Sequence, residues 1–334
     1  MPQKSTDAAS AADIKKAGSQ LAAVSSAFSA RIVGQESLRE SLLVAMLAGG
    51  HILLESVPGL AKTMAAATLA NSVKAVFNRI QCTPDLLPSD ITGTQIFDNK
   101  TNTFKTQLGP VHANFVLLDE INRSSAKTQS AMLEAMQERQ TSIGGTVYPL
   151  PVPFLVIATQ NPIEQEGTYL LPEAQLDRFL LKEIVEYPSS ADELIILDRL
   201  DEGVFDQGGV PTGVIGLADV LSLQATTSRV YADEAIRKYI VALVEATRNP
   251  KAVIKPELGD LIEVGASPRG SIAFLQAARA LALLDGRANV IPEDVKKIAH
   301  RVLRHRIILG FEADAEDVTT DSIIDAIVAA VPAP

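Results

Sequence analysis

Residues 51–63 read His51-Ile-Leu-Leu-Glu55-Ser56-Val-Pro-Gly-Leu-Ala-Lys62-Thr63, and this stretch decides the fold. An apolar run enters a tight loop, and an alanine-rich segment from Met64 follows with helical character. A strand, a loop and a helix that begins at Lys-Thr form the arrangement that cradles phosphates. We expect loop N–H groups to bind the α and β phosphates of a nucleotide, Lys62 to bind the β and γ oxygens, and Thr63 to bind Mg²⁺.

The loop departs from the strict phosphate-loop pattern at two positions. Ser56 and Ala61 stand where that pattern, G-x-x-x-x-G-K-[ST], has glycines. An ordinary strand–turn–helix with an exposed lysine therefore stays open as an alternative. If position 56 requires a positive φ, the serine is strained there and the affinity for nucleotide is reduced.

Composition narrows the class of protein. The chain has 334 residues, enough for two domains, with 47% hydrophobic and 21% charged residues, as in folded globular proteins. The net charge of -10 disfavours a nucleic-acid partner. A lone Cys82 and four scattered histidines predict neither a disulfide nor a metal cluster. No apolar run is long enough to span a membrane, so we expect a cytoplasmic protein that contacts membranes only through a partner.

Apolar runs alternate with helical patterns up to Pro188. The runs His51–Glu55, Arg79–Gln81, Asn114–Leu118, Phe154–Ala158 and Leu180–Tyr187 predict a buried parallel sheet. Turn signals predict small hairpins within residues 89–108 and 140–153. Beyond Pro188 the pattern is helical, and we expect His300 and His305 to be solvated there. The predicted parts are a helical extension (1–30), an α/β domain (31–190), a linker (191–213) and a helical domain (214–334).

Acidic and amide side chains follow two of the predicted strands. Asp119 and Glu120 end the run Phe115-Val-Leu-Leu118, where buried carboxylates need a cation nearby. We expect Asp119 to hold the water shell of the metal and Glu120 to polarise the attacking water as general base. Simple capping of the next segment is the alternative. Asn161 ends the fourth run and could orient the attacking water, although an asparagine before proline is also a common turn residue.

Two arginines are candidates for contact with the γ-phosphate. Arg269 follows Ser267-Pro268, a good helix start, where a cation opposes the helix dipole unless an anion is near. Arg178 precedes the fifth predicted strand, and a local ion pair with Asp177 or Glu173 explains its position nearly as well.

Several longer motifs resemble the MoxR family of AAA+ ATPases across residues 31–310. They are Arg79-Ile-Gln-Cys-Thr-Pro-Asp-Leu-Leu-Pro-Ser-Asp-Ile-Thr-Gly93, Leu118-Asp-Glu-Ile-Asn-Arg-Ser-Ser-Ala-Lys-Thr-Gln-Ser130, Ala158-Thr-Gln-Asn-Pro162 and Leu171-Pro-Glu-Ala-Gln-Leu-Asp-Arg-Phe179. The resemblance implies an α/β AAA+ core with a parallel five-stranded sheet, inserted β-hairpins and a C-terminal all-helical lid.

The resemblance also implies roles for single residues. Lys62 and Thr63 look like Walker A, Asp119 and Glu120 like Walker B, and Asn161 like sensor 1. Arg178 looks like the arginine finger, with Arg123 as its competitor, and Arg269 looks like the sensor-2 arginine. Ala61 agrees with the family's usual loop, whereas Ser56 departs from it. The implied nucleotide-binding residues are Val33, Gly34, Gln35, Val57, Pro58, Gly59, Leu60, Ala61, Lys62, Thr63, Met64, Asp119 and Arg269, and those near the metal are Thr63 and Asp119.

By this resemblance the protein is an Mg²⁺-dependent ATPase that assembles as a homo-oligomer, with a hexameric ring expected. The resemblance implies a chaperone-like motor that remodels, matures or assists metal insertion into proteins with von Willebrand factor A domains, and no nucleic-acid partner is expected. The alternatives are a motor subunit of a chelatase-type complex and a nucleotide-gated scaffold that binds ATP but hydrolyses it weakly.

Overall fold

The structure is a computed structural model that describes residues 8–162, 169, 171–203 and 213–334. The described chain forms two compact units. The sheet unit consists of Ala22–Arg178 and Glu183–Leu221. The helical unit consists of the residues up to Leu21, Phe179–Lys182 and Ser222–Pro334.

The first two thirds of the described chain alternate between helices and strands. In chain order they are α1 (Ala11–Ser29), α2 (Glu36–Ala48), β1 (Ile52–Glu55), α3 (Lys62–Ser72), β2 (Phe77–Gln81), α4 (Pro88–Thr92), β3 (Gly93–Asp98), β4 (Thr103–Leu108), β5 (Phe115–Asp119), α5 (Ala126–Glu138), β6 (Gln140–Ile143), β7 (Thr146–Pro149), β8 (Leu155–Gln160), α6 (Glu173–Leu176), β9 (Leu181–Ile184) and α7 (Ser190–Asp201).

Five strands form the central sheet in the order β2-β5-β8-β1-β9. The pairs β2–β5, β5–β8 and β1–β8 are parallel. All five residues of β5 and the first five of β8 are buried, because these strands are covered on both faces. The five predicted strands and the parallel sheet are confirmed. The last strand is shorter than predicted, and Val185 makes one further bond, to the Glu55 carbonyl, before Pro188.

Two antiparallel hairpins interrupt the alternation, where turn residues predicted them. β3 pairs with β4 over Gly93–Leu108, and β6 pairs with β7 over Gln140–Pro149. The base of the first hairpin is tight: Gly93 has φ +111°, and a Cβ at Gly109 would collide with the Ile91 carbonyl oxygen. Glycine is required at Gly93 because of its positive φ, and at Gly109 because the Ile91 carbonyl leaves no space for a side chain.

The later elements are mainly helical, as predicted. They are α8 (Leu217–Arg229), α9 (Glu234–Arg248), α10 (Pro256–Asp260), β10 (Ile262–Val264), α11 (Pro268–Leu284), α12 (Pro292–Leu303), β11 (Ile308–Leu309), α13 (Phe311–Ala315) and α14 (Thr320–Ala330). The apolar stripes of α9, α12 and α14 are buried. One addition was not predicted: β10 and β11 form a short antiparallel ladder, too short for periodicity to reveal. No described helix has the length and apolar character needed to cross a membrane.

The predicted linker 191–213 contains a helix in the structure. Ser189 caps α7 by accepting from the Asp192 N–H, while Asp192 accepts from the Ser189 N–H. This reciprocal pair stabilises a helix start within the segment that was predicted to be a linker. Residues 204–212 of the predicted linker lie outside the described residues. The chain passes from one unit to the other at four places: after Leu21 in α1, after Arg178, after Lys182 in β9 and after Leu221 in α8.

His305 is buried, which corrects the expectation that it is solvated. Its Nε2 lies 3.0 Å from the Phe179 carbonyl oxygen within the helical unit, and Arg306 donates to the same oxygen. Burial lowers the pKa of His305 well below its ordinary value, and the neighbouring Arg306 acts in the same direction. Helical spacing alone did not show that this turn faces the separate segment Phe179–Lys182.

His51 ties the start of β1 to two neighbouring elements of the sheet unit. Its buried Nδ1 accepts from the Val156 N–H at 3.0 Å, so Nε2 carries the proton and donates to the Met136 carbonyl at 3.3 Å. Burial lowers the pKa of His51 to about 4, and Arg139 adds to this effect. The folded protein therefore keeps a neutral imidazole where the unfolded chain accepts a proton.

We expect His51 to make the fold sensitive to acid. Because its pKa is lower in the folded state, its contribution is complete above pH 6.5 and falls as the pH approaches 4, by at most roughly 3 kcal/mol. His51→Phe should be about 1–3 kcal/mol less stable at pH 7.5, since the Val156 N–H loses its acceptor. Urea unfolding at pH 7.5 and 5.0 should show a smaller pH-dependent loss for the variant than for wild type. His305 is unchanged in both proteins, so an equal loss in the two would contradict the assignment to His51.

Candidate functional site

A cavity of about 440 Å³ lies at the carboxyl ends of the central strands in the sheet unit. The strand order places β1 between β8 and β9, and open parallel sheets bind ligands at such a switch point. The cavity is lined by the loop and helix start that follow β1 and by side chains from β2, β5 and the end of β8: Pro58, Gly59, Leu60, Ala61, Lys62, Thr63, Met64, Arg79, Asp119, Glu120 and Asn161.

The loop after β1 turns sharply into α3. Ala61 precedes the helix with φ 53° and ψ 21°, in the left-handed region. No side chain caps the first turn of this helix in the described structure, so its N–H groups face the cavity with the positive end of the helix dipole. Such a terminus is a ready site for phosphate groups.

The Lys62 ammonium folds back over the loop. It donates to the Ser56 carbonyl at 3.2 Å, to the Ser56 hydroxyl at 2.5 Å and to the Val57 carbonyl at 3.2 Å. Burial lowers the pKa of Lys62, while the carboxylates of Asp119 and Glu120 raise it. The ammonium is therefore held within reach of the cavity, and Val57 contributes its carbonyl although it does not line the cavity.

The two unusual loop positions differ in backbone conformation. Ala61 has a positive φ and Ser56 does not. The condition for strain at Ser56, a positive φ, is therefore not met, and the strained position is Ala61. Ser56 instead acts through its hydroxyl, which donates to the Val57 carbonyl at 2.9 Å and accepts from Lys62.

Asp119 ends the central strand β5 and is 8% exposed. Its Oδ1 accepts from the Thr159 hydroxyl at 2.7 Å. Its Oδ2 accepts from Nε of Arg79 at 3.0 Å and from Nη2 at 2.6 Å. Both carboxylate oxygens thus have donors, and the charge is paired with a cation.

Glu120 stands directly beyond the strand in a left-handed conformation, with φ 56°. Its N–H donates to the Thr159 hydroxyl at 2.8 Å. Its Oε2 accepts from Gln81 at 3.0 Å and from Arg123 at 3.0 Å. A non-glycine residue with positive φ at this place is the kind of local strain that concentrates at functional sites.

The cavity has the oxygen ligands that a magnesium ion bound to a nucleotide requires. Mg²⁺ prefers one or two carboxylates together with waters and phosphate oxygens. The Asp119 carboxylate and the Thr63 hydroxyl line the same cavity, and Asp119 already binds a cationic side chain. No cluster of three or more His, Cys, Asp or Glu that could hold a metal by itself occurs in the described part of the chain.

The remaining predicted residues lie in different places. Asn161 is buried beside Lys62, Asp119 and Glu120 in the cavity. The segment Val33, Gly34 and Gln35 does not line it: Gln35 donates to the Glu186 carbonyl at 3.0 Å, and a Cβ at Gly34 would meet Asp192.

Arg178 lines a second cleft of the sheet unit, of about 290 Å³, beside α5 and α6. Its buried Nε has no hydrogen-bond partner in the described structure. Arg269 belongs to the helical unit, where its N–H donates to the Ser267 hydroxyl at the start of α11. Ser267 as cap and Pro268 in the first turn agree with the predicted helix start.

Three residues of the site were not singled out from the sequence: Arg79, Gln81 and Thr159. Arg79 and Gln81 lie on the same face of β2, where the alternation of a strand could have suggested that they act together. The sequence does not distinguish Thr159 as a site residue, because a threonine inside an apolar strand is common.

A parallel sheet with an uncapped helix start, a lysine and two strand-end carboxylates is typical of P-loop ATPases. Residues 51–181 match the family profile described as ATPase family associated with various cellular activities (AAA), and residues 259–327 match the AAA lid domain. Chaperone MoxR1 of Mycobacterium tuberculosis is 48% identical over 303 residues, which cover 91% of this chain and 79% of that protein.

Two further relatives agree with this match. The uncharacterized protein YeaC of Bacillus subtilis is 46% identical, with 91% of each chain covered. The crystal structure of a Cytophaga hutchinsonii protein provisionally named an ATPase superposes with a TM-score of 0.88 at 44% identity, covering 96% of this chain and 97% of that one. The chain belongs to the MoxR family of AAA+ ATPases.

The contact between Ser56 and Lys62 predicts how nucleotide affinity responds to mutation. Ser56→Ala removes the hydroxyl that competes with phosphate for the ammonium, and the backbone at position 56 accepts alanine. We expect ATP to bind up to about tenfold more tightly, the weight of one hydrogen bond to a charged group. Titration calorimetry measures the dissociation constant for ATP, and Ala61→Gly serves as the control substitution in the same loop. Weaker binding after Ser56→Ala would mean that the hydroxyl contacts the nucleotide instead.

Proposed function

We propose that this protein is a chaperone-like motor that hydrolyses Mg²⁺-bound ATP in the cavity at the end of β1, β5 and β8. The observation that carries the proposal is the meeting of Lys62, Thr63, Asp119, Glu120 and Asn161 around one cavity at the switch point of the sheet. Their side chains match the successive tasks of phosphate binding, metal binding and proton transfer.

The phosphates would be bound by the loop 57–61 and the start of α3. The N–H groups of the helix start would contact the α and β phosphates, and Lys62 would leave the Ser56 and Val57 oxygens for the β and γ oxygens. Thr63 and Asp119 would hold Mg²⁺, which when bound neutralises charge between the β and γ phosphates.

Proton transfer would fall to Glu120, with Asn161 orienting the water. Gln81 and Arg123 both bind Oε2 of Glu120, so Oε1 is the oxygen placed to accept the proton. Thr159 bonds to both Asp119 and the Glu120 backbone, and therefore keeps the metal-binding and base positions at a constant separation.

We expect Glu120→Gln to separate ATP binding from hydrolysis. The amide keeps the size of the side chain but cannot take a proton, so turnover should fall by about 10²-fold or more while ATP still binds. Lys62→Ala is the matched control and should lose binding itself. Phosphate release and calorimetry measure the two quantities. Equal turnover of Glu120→Gln and wild type would reject Glu120 as the base, and negligible turnover of wild type would favour the weakly hydrolysing scaffold.

The proposed client is a protein with a von Willebrand factor A domain, as the family resemblance suggests. An ATP-bound protein that cannot hydrolyse should retain its client, so tagged Glu120→Gln with ATP serves as bait in extract of the source cells. Proteins enriched relative to a Lys62→Ala bait are then identified by mass spectrometry. Enrichment of proteins without such a domain would reject this client class.

We further propose that the active subunits form a ring, with a hexamer as the expected form. The support is Arg178, which forms no ion pair with Asp177 or Glu173 in the described part of the chain and has a buried Nε without a partner. An arginine whose Nε has no hydrogen-bond partner among the described residues is suited to the γ-phosphate of a neighbouring copy. Arg123, its competitor, already contacts Glu120 of its own chain.

Mixing experiments test the shared site. Arg178→Ala should bind ATP like wild type and hydrolyse it roughly 10³-fold more slowly. Activity should return on mixing with Lys62→Ala subunits, because some interfaces then combine an intact lysine with an intact arginine. Arg123→Ala is the matched comparison. Normal turnover of Arg178→Ala together with slow turnover of Arg123→Ala would assign the arginine finger to Arg123. No recovery in mixtures that still assemble would reject the shared site.

A further inference from the structure

Arg79 is the cationic side chain that binds Asp119 in this structure. It lies on β2 opposite Leu117 of β5, so its guanidinium reaches diagonally along the sheet to the strand end. Both Nε and Nη2 donate to Oδ2 of Asp119, at 3.0 and 2.6 Å. The Arg79 side chain is 49% exposed and lines the cavity, whereas the Asp119 side chain is 12% exposed.

The same guanidinium also fixes the orientation of Gln81. Nη2 of Arg79 donates to Oε1 of Gln81 at 2.7 Å. With its oxygen so engaged, the Gln81 amide directs Nε2 to Oε2 of Glu120, at 3.0 Å. An amide turned by 180° would present its oxygen to the carboxylate, so Arg79 selects the orientation that binds Glu120.

This arrangement has an electrostatic reason. A carboxylate as little exposed as Asp119 is unfavourable without a cation, and Arg79 supplies one. The oxygen that it uses belongs to the carboxylate that Mg²⁺ would bind in the proposed function. The guanidinium and the metal therefore compete for the same negative charge.

We propose that Arg79 is a positioning residue that acts on both carboxylates of the site. It neutralises Asp119 until a divalent cation arrives, and it holds the Gln81 amide in the orientation that binds Glu120. The inference rests on the proposed function, because it requires a site for metal and nucleotide. Arg79 belongs neither to the loop nor to the strand-end carboxylates, and yet it would set how strongly Mg²⁺ changes the affinity for nucleotide.

Binding of fluorescently labelled ADP, with EDTA or with saturating Mg²⁺, tests the competition without any turnover. In Arg79→Gln the phosphates lose a cation and Mg²⁺ loses a competitor. The ratio of the dissociation constant in EDTA to that in Mg²⁺ should therefore rise by about three- to tenfold over wild type. Lys105→Gln removes the same charge from the exposed β3–β4 hairpin, where Lys105 pairs with Asp98, and should leave the ratio unchanged.

Arg79→Lys separates the two effects. Lysine keeps the positive charge near Asp119 but lacks the planar group that reaches Asp119 and Gln81 together. The ADP ratio should stay within about twofold of wild type, while ATP turnover should fall by about tenfold, as in Arg79→Gln. Circular dichroism checks that each variant is folded.

The outcomes distinguish this inference from the proposed function. If wild type binds no labelled ADP with or without Mg²⁺, the proposed function fails. If wild type binds ADP more tightly with Mg²⁺ and Arg79→Gln shows the same ratio, the competition at Asp119 is refuted. If Arg79→Gln does not fold, the Arg79→Lys variant decides. ATP turnover of Arg79→Lys equal to that of wild type would refute the positioning of Glu120 through Gln81. Reduced turnover, together with a wild-type ratio of the ADP dissociation constants, would support it.

Discussion

The pairing of the buried Asp119 carboxylate is the interaction on which the rest of the site depends. A negative charge at the end of the central strand β5 must be matched by donors or by a cation. Thr159 and Arg79 supply them from the neighbouring strands β8 and β2. Because these strands flank β5 in the sheet, the strand order itself determines which side chains can satisfy Asp119.

Two strained residues stand on either side of the cavity. Ala61 and Glu120 are both in the left-handed region without being glycine, at a cost on the order of 1–3 kcal/mol each. Ala61 turns the loop into the start of α3, and Glu120 turns the chain out of β5 at the point where its carboxylate accepts from Gln81 and Arg123. The buried strands below them supply the packing that maintains both conformations.

Every charged side chain of the site has a partner in this structure. Lys62 binds loop oxygens, Asp119 binds Arg79, and Glu120 binds Gln81 and Arg123. A ligand with phosphates and a divalent cation would have to replace these contacts with equivalent ones. The net energy of such exchanges is small compared with the energy of each contact, so modest substitutions at Ser56 or Arg79 can adjust affinity without dismantling the site.

The sequence by itself determined the sheet, the hairpins, the helical unit and the placement of Lys62, Thr63, Asp119, Glu120 and Asn161 around one cavity. It could do so because apolar runs, turn residues and strand-end carboxylates are local patterns, and parallel strands end at a common edge. Only the tertiary structure decided that Ser56 is unstrained, that His305 is buried, and that Arg79, Gln81 and Thr159 contact the two carboxylates. Those facts depend on which strands become neighbours in the sheet and on the backbone φ of single residues. The spacing of residue types along the chain specifies neither the strand order nor these angles.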